Sequence, residues 1–354
     1  MEDGSIPIPK LPILGKRNIL ITSALPNVVD VPHLGNIVGC VLSADVYARY
    51  CRLRGYNAIY ICGTDDYGTA TETKAREENR TPRQICDRYH AIHKEVYDWF
   101  DISFDKFGGT STQEQSQLCL EIFNKLWVNK RLSDYTIPQL YCGSCRRFLA
   151  DEHLRVSFSA PGDQCENSRK LLYPTTLKDL RCKVCQTTPQ IRVTDGLLID
   201  IPLVVEKLEE YIDKTSVTGS WSQNAIETTN ASLMTGLKSI CFTSDQKWGV
   251  SVPQEKYMNK VFDAWLDAAI GYVSVTSCYT PEWEKWWKNP DNVELCQFLG
   301  KDYLLFHTVL FPATQLATGE NWTMVKTISA TENLNYEGKK FSKIKGVGVF
   351  GNDV

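Results

Sequence analysis

A histidine, a glycine and an asparagine lie together in the stretch PHLGN, Pro32 to Asn36, between an apolar run and a helix-like segment. His33 and Asn36 are three positions apart, so both can point at one ligand and donate hydrogen bonds to phosphate oxygens. Gly35 lets a flat ring or a phosphate approach the backbone. The N–H groups at a helix start also suit an anion. In isolation, however, the pattern is better explained as a capped helix with a surface histidine.

A second group of chemically useful residues lies near the other end of the sequence, in KKFSKIK, Lys339 to Lys345. Its four lysines stand beside a glycine-rich run. Lysines on such a loop can neutralise the charge that develops when the phosphates of a nucleotide separate. The simpler alternative is a solvated basic loop, which is the usual meaning of a run of like charges.

Four of the thirteen cysteines form two C-x-x-C pairs, Cys142 with Cys145 and Cys182 with Cys185. Most of the others are scattered through apolar segments, where a free cysteine behaves as a small hydrophobic residue. The amino-terminal residues lack the basic and apolar regions of an export signal and the character of a transit peptide. Paired C-x-x-C units then favour a metal site over a disulfide framework.

The composition is that of an ordinary globular protein. The 354 residues are 43% hydrophobic and 23% charged, with a formal net charge of −3. This charge gives no global sign of a nucleic-acid binder, so any basic surface is local. No apolar run reaches the roughly 20 residues that a membrane helix needs. We therefore expect a soluble, cytoplasmic protein with no membrane partner.

The elements that must position these residues follow an α/β pattern. Residues 18–25 and 58–62 read as buried strands, and residues 37–54 between them have apolar positions at helical spacing. This is a strand–helix–strand unit, expected to form a parallel crossover. Further helices are predicted over 81–100, 111–131 and 202–214, a strand at 293–300 and a helix-like segment at 302–316. Only short strands are predicted from about 133 to 195. Because no G-x-G-x-x-G follows the first strand, a plain dinucleotide-binding protein is not favoured.

Taken in order, the motifs resemble those of the class I aminoacyl-tRNA synthetases, and within them the methionyl-tRNA synthetases of the eukaryotic cytosolic type. The resemblance covers nearly the whole chain from Arg17 on, and rests on ALPNVVDVPHLGN, ICGTDDYGT, FLADEHL, CKVC, WLDAAIGY, WEKWWKNP, GKDYLLFH and FSKIKGVGVFG. It implies a Rossmann-type, parallel-sheet nucleotide-binding domain that is split by a zinc-knuckle connective insertion.

The resemblance also implies a division of the chain. Residues 1–16 would be an amino-terminal extension, and 17–132 the first half of the catalytic domain. Residues 133–240 would form the connective insertion, 241–330 the second half, and 331–354 the lysine signature loop. Longer family members continue into a helical anticodon-binding domain, which we expect this sequence to stop short of.

The activity implied by the resemblance is the ATP-dependent adenylation of methionine, followed by transfer to the acceptor end of tRNA(Met). His33 and Asn36 would hold the ATP phosphates, with Gly35 under the adenine. Lys340 and Lys343 would stabilise the pentavalent phosphorus. Mg²⁺ would accompany ATP, and other synthetases are expected partners in a complex.

The methionine pocket implied by the same resemblance uses Asp65, whose carboxylate would pair with the substrate ammonium. The thioether would be enclosed by Leu25, Trp265, Ala268, Tyr272 and His307. An apolar pocket with aromatic side chains suits a soft, polarizable ligand group such as a thioether. The alternatives are core packing for Trp265 and Tyr272, and a helix cap for Asp65.

The cysteine pairs meet the requirement for a tetrahedral thiolate zinc site. Similar eukaryotic inserts have four such pairs and two zinc ions. Here one inner pair is missing, and the other is reduced to Cys165 with Ser168. We therefore expect Cys142, Cys145, Cys182 and Cys185 to hold one structural zinc, and the inner site to be empty. The alternative is two pairs of reduced cysteines.

Several positions depart from the family pattern, notably Asn27 in place of a pocket tyrosine and Ser244 in place of an arginine that assists activation. Ala269 and Ile344 also differ. They define an alternative function: a degenerate homologue that binds methionine, ATP or a partner without efficient catalysis. A synthetase for isoleucine, leucine or valine is not favoured, because residues 130–240 are too few for the editing insertion of those enzymes.

Overall fold

The structure is a computed structural model and describes residues 8–149, 154–156, 180–182, 184–341 and 347–353. The first part of the chain alternates strands and helices, in the order β1 (Asn18–Ser23), α1 (Leu34–Asn36), α2 (Ser43–Leu53), β2 (Asn57–Thr64), α3 (Thr69–Glu77), α4 (Pro82–Trp99), β3 (Lys106–Gly109) and α5 (Gln113–Val128). A π-helical turn, Ile37–Leu42, joins α1 to α2. The predicted strand–helix–strand unit is confirmed, because β1 and β2 pair in parallel.

Helix α4 begins where its sequence predicts. The Thr81 hydroxyl accepts the Gln84 N–H at 3.2 Å, and the Gln84 side-chain oxygen accepts the Thr81 N–H at 3.0 Å. Pro82 occupies the first turn, where its missing N–H costs nothing. This reciprocal capping satisfies two N–H groups that a helix start otherwise leaves without partners.

The middle of the chain forms a separate antiparallel sheet with two helices. Its elements are β4 (Leu132–Cys142), β5 (Arg147–Phe148), β6 (Leu154–Val156), β7 (Leu180–Cys182), β8 (Gln190–Ile199), α6 (Val205–Thr218), α7 (Gln223–Met234) and β9 (Ile240–Cys241). The sheet has the order β5-β4-β8-β9, while β6 pairs with β7. A single 3₁₀ turn, Ile201–Val204, leads into α6.

The prediction of only short strands in this part is wrong for β4 and β8, which have 11 and 10 residues and pair along their length. Apolar residues on this pair lie partly in solvent: Ile137, Ile191 and Val193 are 36%, 58% and 65% exposed. These side chains blur the alternation of apolar and polar residues that marks a half-buried strand.

The last part returns to the parallel sheet. Its elements are β10 (Thr243–Ser244), β11 (Val261–Phe262), α8 (Ala264–Tyr279), α9 (Glu284–Trp287), β12 (Val293–Gly300), α10 (Phe311–Thr318), β13 (Val325–Thr331), β14 (Asn335–Tyr336) and β15 (Lys339–Lys340). The predicted helix-like segment starts with a 3₁₀ turn, Lys301–Tyr303, and reaches α10 through a π-helical turn, Phe306–Leu310. Two further 3₁₀ turns, at Glu255–Tyr257 and Gly351–Asp353, have three residues each. Among the described residues, no helix combines the length and the apolar character needed to span a bilayer.

Five parallel strands form the central sheet, in the order β13-β12-β1-β2-β3. The chain winds outward from β1 in both directions, so the strand order reverses between β1 and β12. In open α/β sheets the carboxyl ends of the strands at such a reversal border a crevice that binds ligands.

Both faces of this sheet are covered. Leu20, Ile59 and Leu295 point into one apolar cluster, while Ile21, Tyr60 and Phe298 point into another on the opposite face. All six residues of β1 are buried. A parallel strand with two covered faces reads as a continuous apolar run, which explains why the sequence identifies β1.

Candidate active site

A cavity of about 630 Å³ opens at the carboxyl edge of the parallel sheet, beside the ends of β1, β12 and β13. The segment after β1 contributes most of one wall, and the segments after β12 and β13 face it. The polar and aromatic residues of the lining include Asn27, Asp30, His33, Asn36, Thr73, Lys74, Glu77, Asp302, Tyr303, Thr331, Glu332, Asn333 and Phe341. This is the crevice that the strand order predicts.

His33 both caps a helix and lines this cavity. It has extended backbone angles, and its Nδ1 accepts the backbone N–H of Asn36 at 3.1 Å. In a neutral imidazole the other nitrogen, Nε2, then carries the hydrogen and is the donor. The capping interpretation is therefore correct, and the same ring lines the cavity.

Gly35 and Asn36 complete this part of the lining. A side chain at position 35 would place its Cβ 3.1 Å from the His33 ring, so glycine leaves room for that ring. The Asn36 Oδ1 atom is buried and has no hydrogen-bond partner among the described residues. A buried acceptor without a donor is costly unless a ligand or water supplies one.

The lysine segment enters the cleft through a hairpin. Strands β14 and β15 pair through Tyr336 and Lys339, and Glu337 and Gly338 between them have φ of 49° and 74°. Left-handed angles at both central residues are typical of a tight two-residue hairpin. Lys340 ends β15, and Lys343 lies outside the described residues.

Phe341, directly after Lys340, is buried and lines the cavity. Its ring lies 5.4 Å from the His33 ring, in an edge contact at 65°. The following backbone also reaches the first motif, since the Val349 carbonyl accepts the Leu34 N–H at 2.8 Å. The structure therefore brings the histidine motif and the backbone of the lysine segment to one cleft.

Asp65 lies at the end of β2, next to this cleft. Its backbone N–H donates to the Pro26 carbonyl at 2.9 Å, and its side-chain Oδ1 is buried without a partner among the described residues. Burial, and next the adjacent Asp66 carboxylate, raise the pKa of Asp65 to about 8. The cap interpretation of Asp65 is wrong, because α3 begins at Thr69 and has Gly68 as its cap.

Tyr272 and His307 form a buried pair. The Tyr272 hydroxyl lies 2.7 Å from His307 Nε2, and His307 Nδ1 lies 2.8 Å from the Tyr303 carbonyl. The carbonyl can only accept, so Nδ1 carries the hydrogen and Nε2 accepts from the tyrosine. Burial lowers the pKa of His307 to about 4, which keeps the ring neutral. The two side chains are therefore held in place by their hydrogen bonds and carry no charge.

Three further predicted pocket residues lie near this pair: Trp265 and Ala268 on α8, and Leu25 in the segment after β1. Trp265, Ala268 and Tyr272 follow helical spacing on α8 and therefore share one side of it. Leu25 follows β1, and a Cβ added to Gly271 would lie 2.8 Å from its side chain. The Trp265 indole N–H donates to the Cys241 carbonyl at 2.6 Å. All three are half-buried, and none of them is part of the lining of the cavity beside His33.

Two residues were missed at the sequence level, one in the cleft and one buried at the end of β2. Lys74 lines the cavity, with its Nζ 3.3 Å from Glu78 and 3.8 Å from Asp30. Asp66 anchors the end of β2, because its carboxylate accepts hydrogen bonds from Thr64 and Ser111. The Asp-Asp pair in GTDDYG was a usable signal, since the second carboxylate also follows a buried strand.

Of the positions that depart from the family pattern, Asn27 lines the cavity and forms an isolated parallel bridge with Asp65. Ser244 is half-buried in β10 and precedes Asp245, which pairs with Lys260 at 2.5 Å. Ala269 is buried on α8. Ile344 lies outside the described residues.

The two C-x-x-C pairs come together in a single cluster. The sulfur atoms of Cys142, Cys145, Cys182 and Cys185 all lie within 4.8 Å of one another. Two of the distances between the pairs are 3.3 Å, from Cys142 to Cys185, and 3.8 Å, from Cys145 to Cys182. Four thiolates around one tetrahedral zinc at about 2.3 Å require this kind of spacing.

The thiols of the cluster differ in acidity: burial, and next the neighbouring cysteines, raise the pKa of Cys145 to about 12. Hydrogen bonds from Thr187 lower the pKa of Cys185 to about 6, so its thiolate forms readily at neutral pH. The spacing of the four sulfur atoms fits a zinc ion, and four sulfur ligands leave it no open position for catalysis. Cys165 and Ser168, the remnant of the predicted inner site, lie outside the described residues.

A parallel sheet with a helix-capping histidine and a lysine-rich hairpin at one crevice defines this chain as a class I aminoacyl-tRNA synthetase core. The chain belongs to the family described as tRNA synthetases class I (M), whose model matches residues 19–354. The resemblance noted in the sequence is thereby confirmed.

Curated relatives agree with this assignment. The chain is 71% identical over 362 residues to the cytoplasmic methionine–tRNA ligase of Arabidopsis thaliana, covering 100% of this chain and 45% of the relative. It is 64% identical over 355 residues to a probable methionine–tRNA ligase of Oryza sativa, covering 98% and 44%. The chain thus spans a little under half the length of these relatives.

A solved structure shares the fold. The methionyl-tRNA synthetase of Mycobacterium tuberculosis, bound by methionyl-adenylate, matches with a TM-score of 0.72 at 18% identity. The match covers 95% of this chain and 61% of that one. At this identity the likeness supports the architecture, and the roles of individual residues must be argued from the site.

Proposed function

We propose that this chain is a methionine–tRNA ligase core that joins methionine to ATP as methionyl-adenylate and passes the methionyl group to the acceptor end of tRNA(Met). The observation that supports this most is the single cleft that His33 and Phe341 share, with the buried acceptor of Asp65 beside it. The relatives, which are named as ligases, favour the enzyme over the degenerate homologue.

In the proposed first step, a methionine carboxylate oxygen attacks the α-phosphorus of ATP, and the bond to pyrophosphate breaks. No protein nucleophile is needed, so the chain contributes alignment and charge stabilisation. We assign phosphate contacts to His33 and Asn36, the adenine face to Gly35, and neutralisation of the departing charge to Lys340 and Lys343. Mg²⁺ would enter with ATP.

For the amino acid, we assign the ammonium to Asp65. The thioether would lie among Leu25, Trp265, Ala268, Tyr272 and His307. The neutral Tyr272–His307 pair offers no charge, which suits an uncharged side chain, and aromatic rings contact sulfur favourably. The buried oxygen of Asp65 offers a partner for a cation, which suits an α-amino group.

The proposed division of the chain follows the predicted one: 1–16, 17–132, 133–240, 241–330 and 331–354. Strand boundaries support it, because the antiparallel sheet starts with β4 at Leu132 and ends with β9 at Cys241, and β13 ends at Thr331. We also propose the cytoplasmic location that the names of the relatives carry. Association with other synthetases stays a prediction.

The exchange of labelled pyrophosphate into ATP tests the function. The chain should catalyse exchange that requires both methionine and ATP. Leucine in place of methionine should leave only background, because a branched side chain lacks the thioether. Binding of methionine and ATP without exchange would contradict the proposal and support the degenerate homologue.

Methionine affinity should depend on pH through Asp65. Its pKa is raised to about 8, so the carboxylate is largely protonated at pH 6 and cannot pair with an ammonium. Affinity should therefore rise about tenfold per pH unit from pH 6 to 7 and level off above pH 8. Calorimetry at several pH values, in buffers of different ionisation enthalpy, should also show a proton released on binding at pH 7. A flat pH profile between 6 and 8 would refute this assignment.

The cysteine cluster should hold one zinc ion per chain. Replacing Cys145 by serine removes a thiolate, so zinc content should fall well below one ion and the melting temperature should drop, because metal binding contributes to folding. Metal analysis and thermal unfolding measure both. Cys278→Ser, which changes a thiol outside the cluster, is the matched control and should keep its zinc. Full zinc content in Cys145→Ser would contradict the assignment.

A further inference from the structure

A series of buried contacts joins the four-cysteine cluster to the end of β2. It starts at Arg147, which lies in β5 directly across from the ligand Cys142. The Arg147 side chain is 5% exposed, and its Nη1 lies 3.9 Å from the Glu72 carboxylate, which is 8% exposed. A buried charge is tolerated when an opposite charge accompanies it, so removing one partner is costly for the other.

Glu72 in turn fixes a loop. It lies on α3, and its Oε1 accepts the backbone N–H groups of Lys247 at 2.5 Å and Trp248 at 2.8 Å. Hydrogen bonds from two N–H groups to one carboxylate are strong because the acceptor is charged. Glu72 therefore connects three segments: α3, the cysteine-bearing strands and the loop after β10.

Trp248 carries the connection to the amino-acid pocket. Its indole N–H donates to the Asp66 carbonyl at 2.8 Å, and its ring lies 5.3 Å from the Tyr67 ring. Asp66 follows Asp65 in the chain. A shift of Trp248 would thus move the backbone that aims the Asp65 carboxylate.

We propose that Arg147 and Glu72 are positioning residues that couple metal binding at the cysteine cluster to the binding of an α-amino acid at Asp65. Without metal, the strand that carries Arg147 loses its anchor at Cys142, and Glu72 loses its buried cation. Glu72 then no longer holds the 247–248 backbone in place, and the amine site loses its alignment. This inference rests on the proposed function, since it takes methionine as the ligand.

Linkage makes the coupling measurable in two directions. If zinc strengthens methionine binding by some factor, methionine must strengthen zinc binding by the same factor. We expect a factor of about ten, within the range usual for coupled sites. Calorimetry of methionine binding to the zinc-loaded and chelator-treated chain measures one direction, and zinc competition with and without saturating methionine measures the other.

Two variants test the route. Glutamine at position 72 keeps an acceptor for the loop but loses the charge that pairs with Arg147. Glu72→Gln should therefore bind zinc fully, while its methionine affinity becomes nearly independent of zinc. Arg147→Leu should bind methionine about tenfold more weakly even with zinc present, and Arg147→Lys should recover part of the loss. Lys207→Leu, which removes an exposed cation on α6, should behave as the unaltered chain.

The outcomes separate this coupling from the proposed function. Equal methionine affinity with and without zinc in the unaltered chain would overturn the coupling and leave the function intact. The same tenfold dependence on zinc in Glu72→Gln would overturn the route through Glu72. If Arg147→Leu does not fold, two results still test the coupling. They are the methionine and zinc affinities of the unaltered chain and the zinc dependence of methionine binding in Glu72→Gln. A zinc-loaded chain that binds no methionine would overturn the proposed function as well.

Discussion

Asp65→Asn is expected to weaken methionine binding about 100-fold, because it removes the negative charge that pairs with the substrate ammonium while keeping the size of the side chain. The Oδ1 atom has no partner among the described residues, so the contact that the ligand would make is not shared with the protein. Calorimetric titration with methionine measures the loss, and the rise in affinity between pH 6 and 8 should disappear in the same variant.

The effect should be confined to the amino acid. ATP affinity and the melting temperature should stay near their original values, because the backbone hydrogen bonds of Asp65 to Pro26 and Val28 do not involve the carboxylate, and an amide oxygen can still accept the Tyr67 N–H. Asp87→Asn, an exposed carboxylate on α4, serves as the control and should leave methionine binding unchanged. Unaltered methionine affinity in Asp65→Asn would show that the ammonium binds elsewhere.

His33→Asn should lower the rate of pyrophosphate exchange by about 100-fold or more, the usual cost of losing one donor that stabilises developing charge. Asparagine is a good helix cap, so this change removes the imidazole donor and keeps the helix start. His33→Ala removes both and should in addition cost about 1 kcal/mol of stability. Exchange kinetics and thermal unfolding, taken together, measure the two contributions.

Methionine affinity should remain nearly constant in both His33 variants, because the proposed function assigns His33 to the phosphates of ATP and Asp65 to the amino acid. If His33→Asn keeps full exchange activity, the histidine is only a cap, as the motif in isolation suggested. A parallel loss of stability and activity in His33→Ala alone would lead to the same conclusion.

The framework of the fold could be predicted because its signals are local. The continuous apolar run of β1, the threonine and proline that open α4 and the spacing of the cysteine pairs are each set by neighbours in the chain. Periodicity and capping act over a few residues and survive in the sequence. The parallel pairing of β1 and β2 then follows from the helix between them.

Contacts between distant segments could not be predicted in this way. The packing of Phe341 against the His33 ring joins opposite ends of the chain, and only the resemblance to a family suggested that these ends meet. Glu72 belongs to none of the motifs singled out in the sequence, yet it is buried beside Arg147 and the 247–248 backbone. The interpretation of Asp65 as a cap failed because Asp65 lies three positions before Gly68, where α3 is capped.

The π-helical turns also lay beyond the sequence pattern. A helix with one wider turn keeps most of its apolar spacing, so Ile37–Leu42 and Phe306–Leu310 read as ordinary helix. Both flank the cleft: the first follows Asn36 directly, and the second contains His307. Wider turns of this kind occur often at functional sites, where they adjust the direction of a side chain.

The most direct test of the central claim is a crystal structure of the chain with a non-hydrolysable analogue of methionyl-adenylate. We predict that the analogue spans the one cleft, with its ammonium on the Asp65 carboxylate, its thioether beside Tyr272 and its phosphate mimic within hydrogen-bond reach of His33. An analogue bound away from the carboxyl edge of the parallel sheet, or with its amine and phosphate ends in separate cavities, would contradict the account.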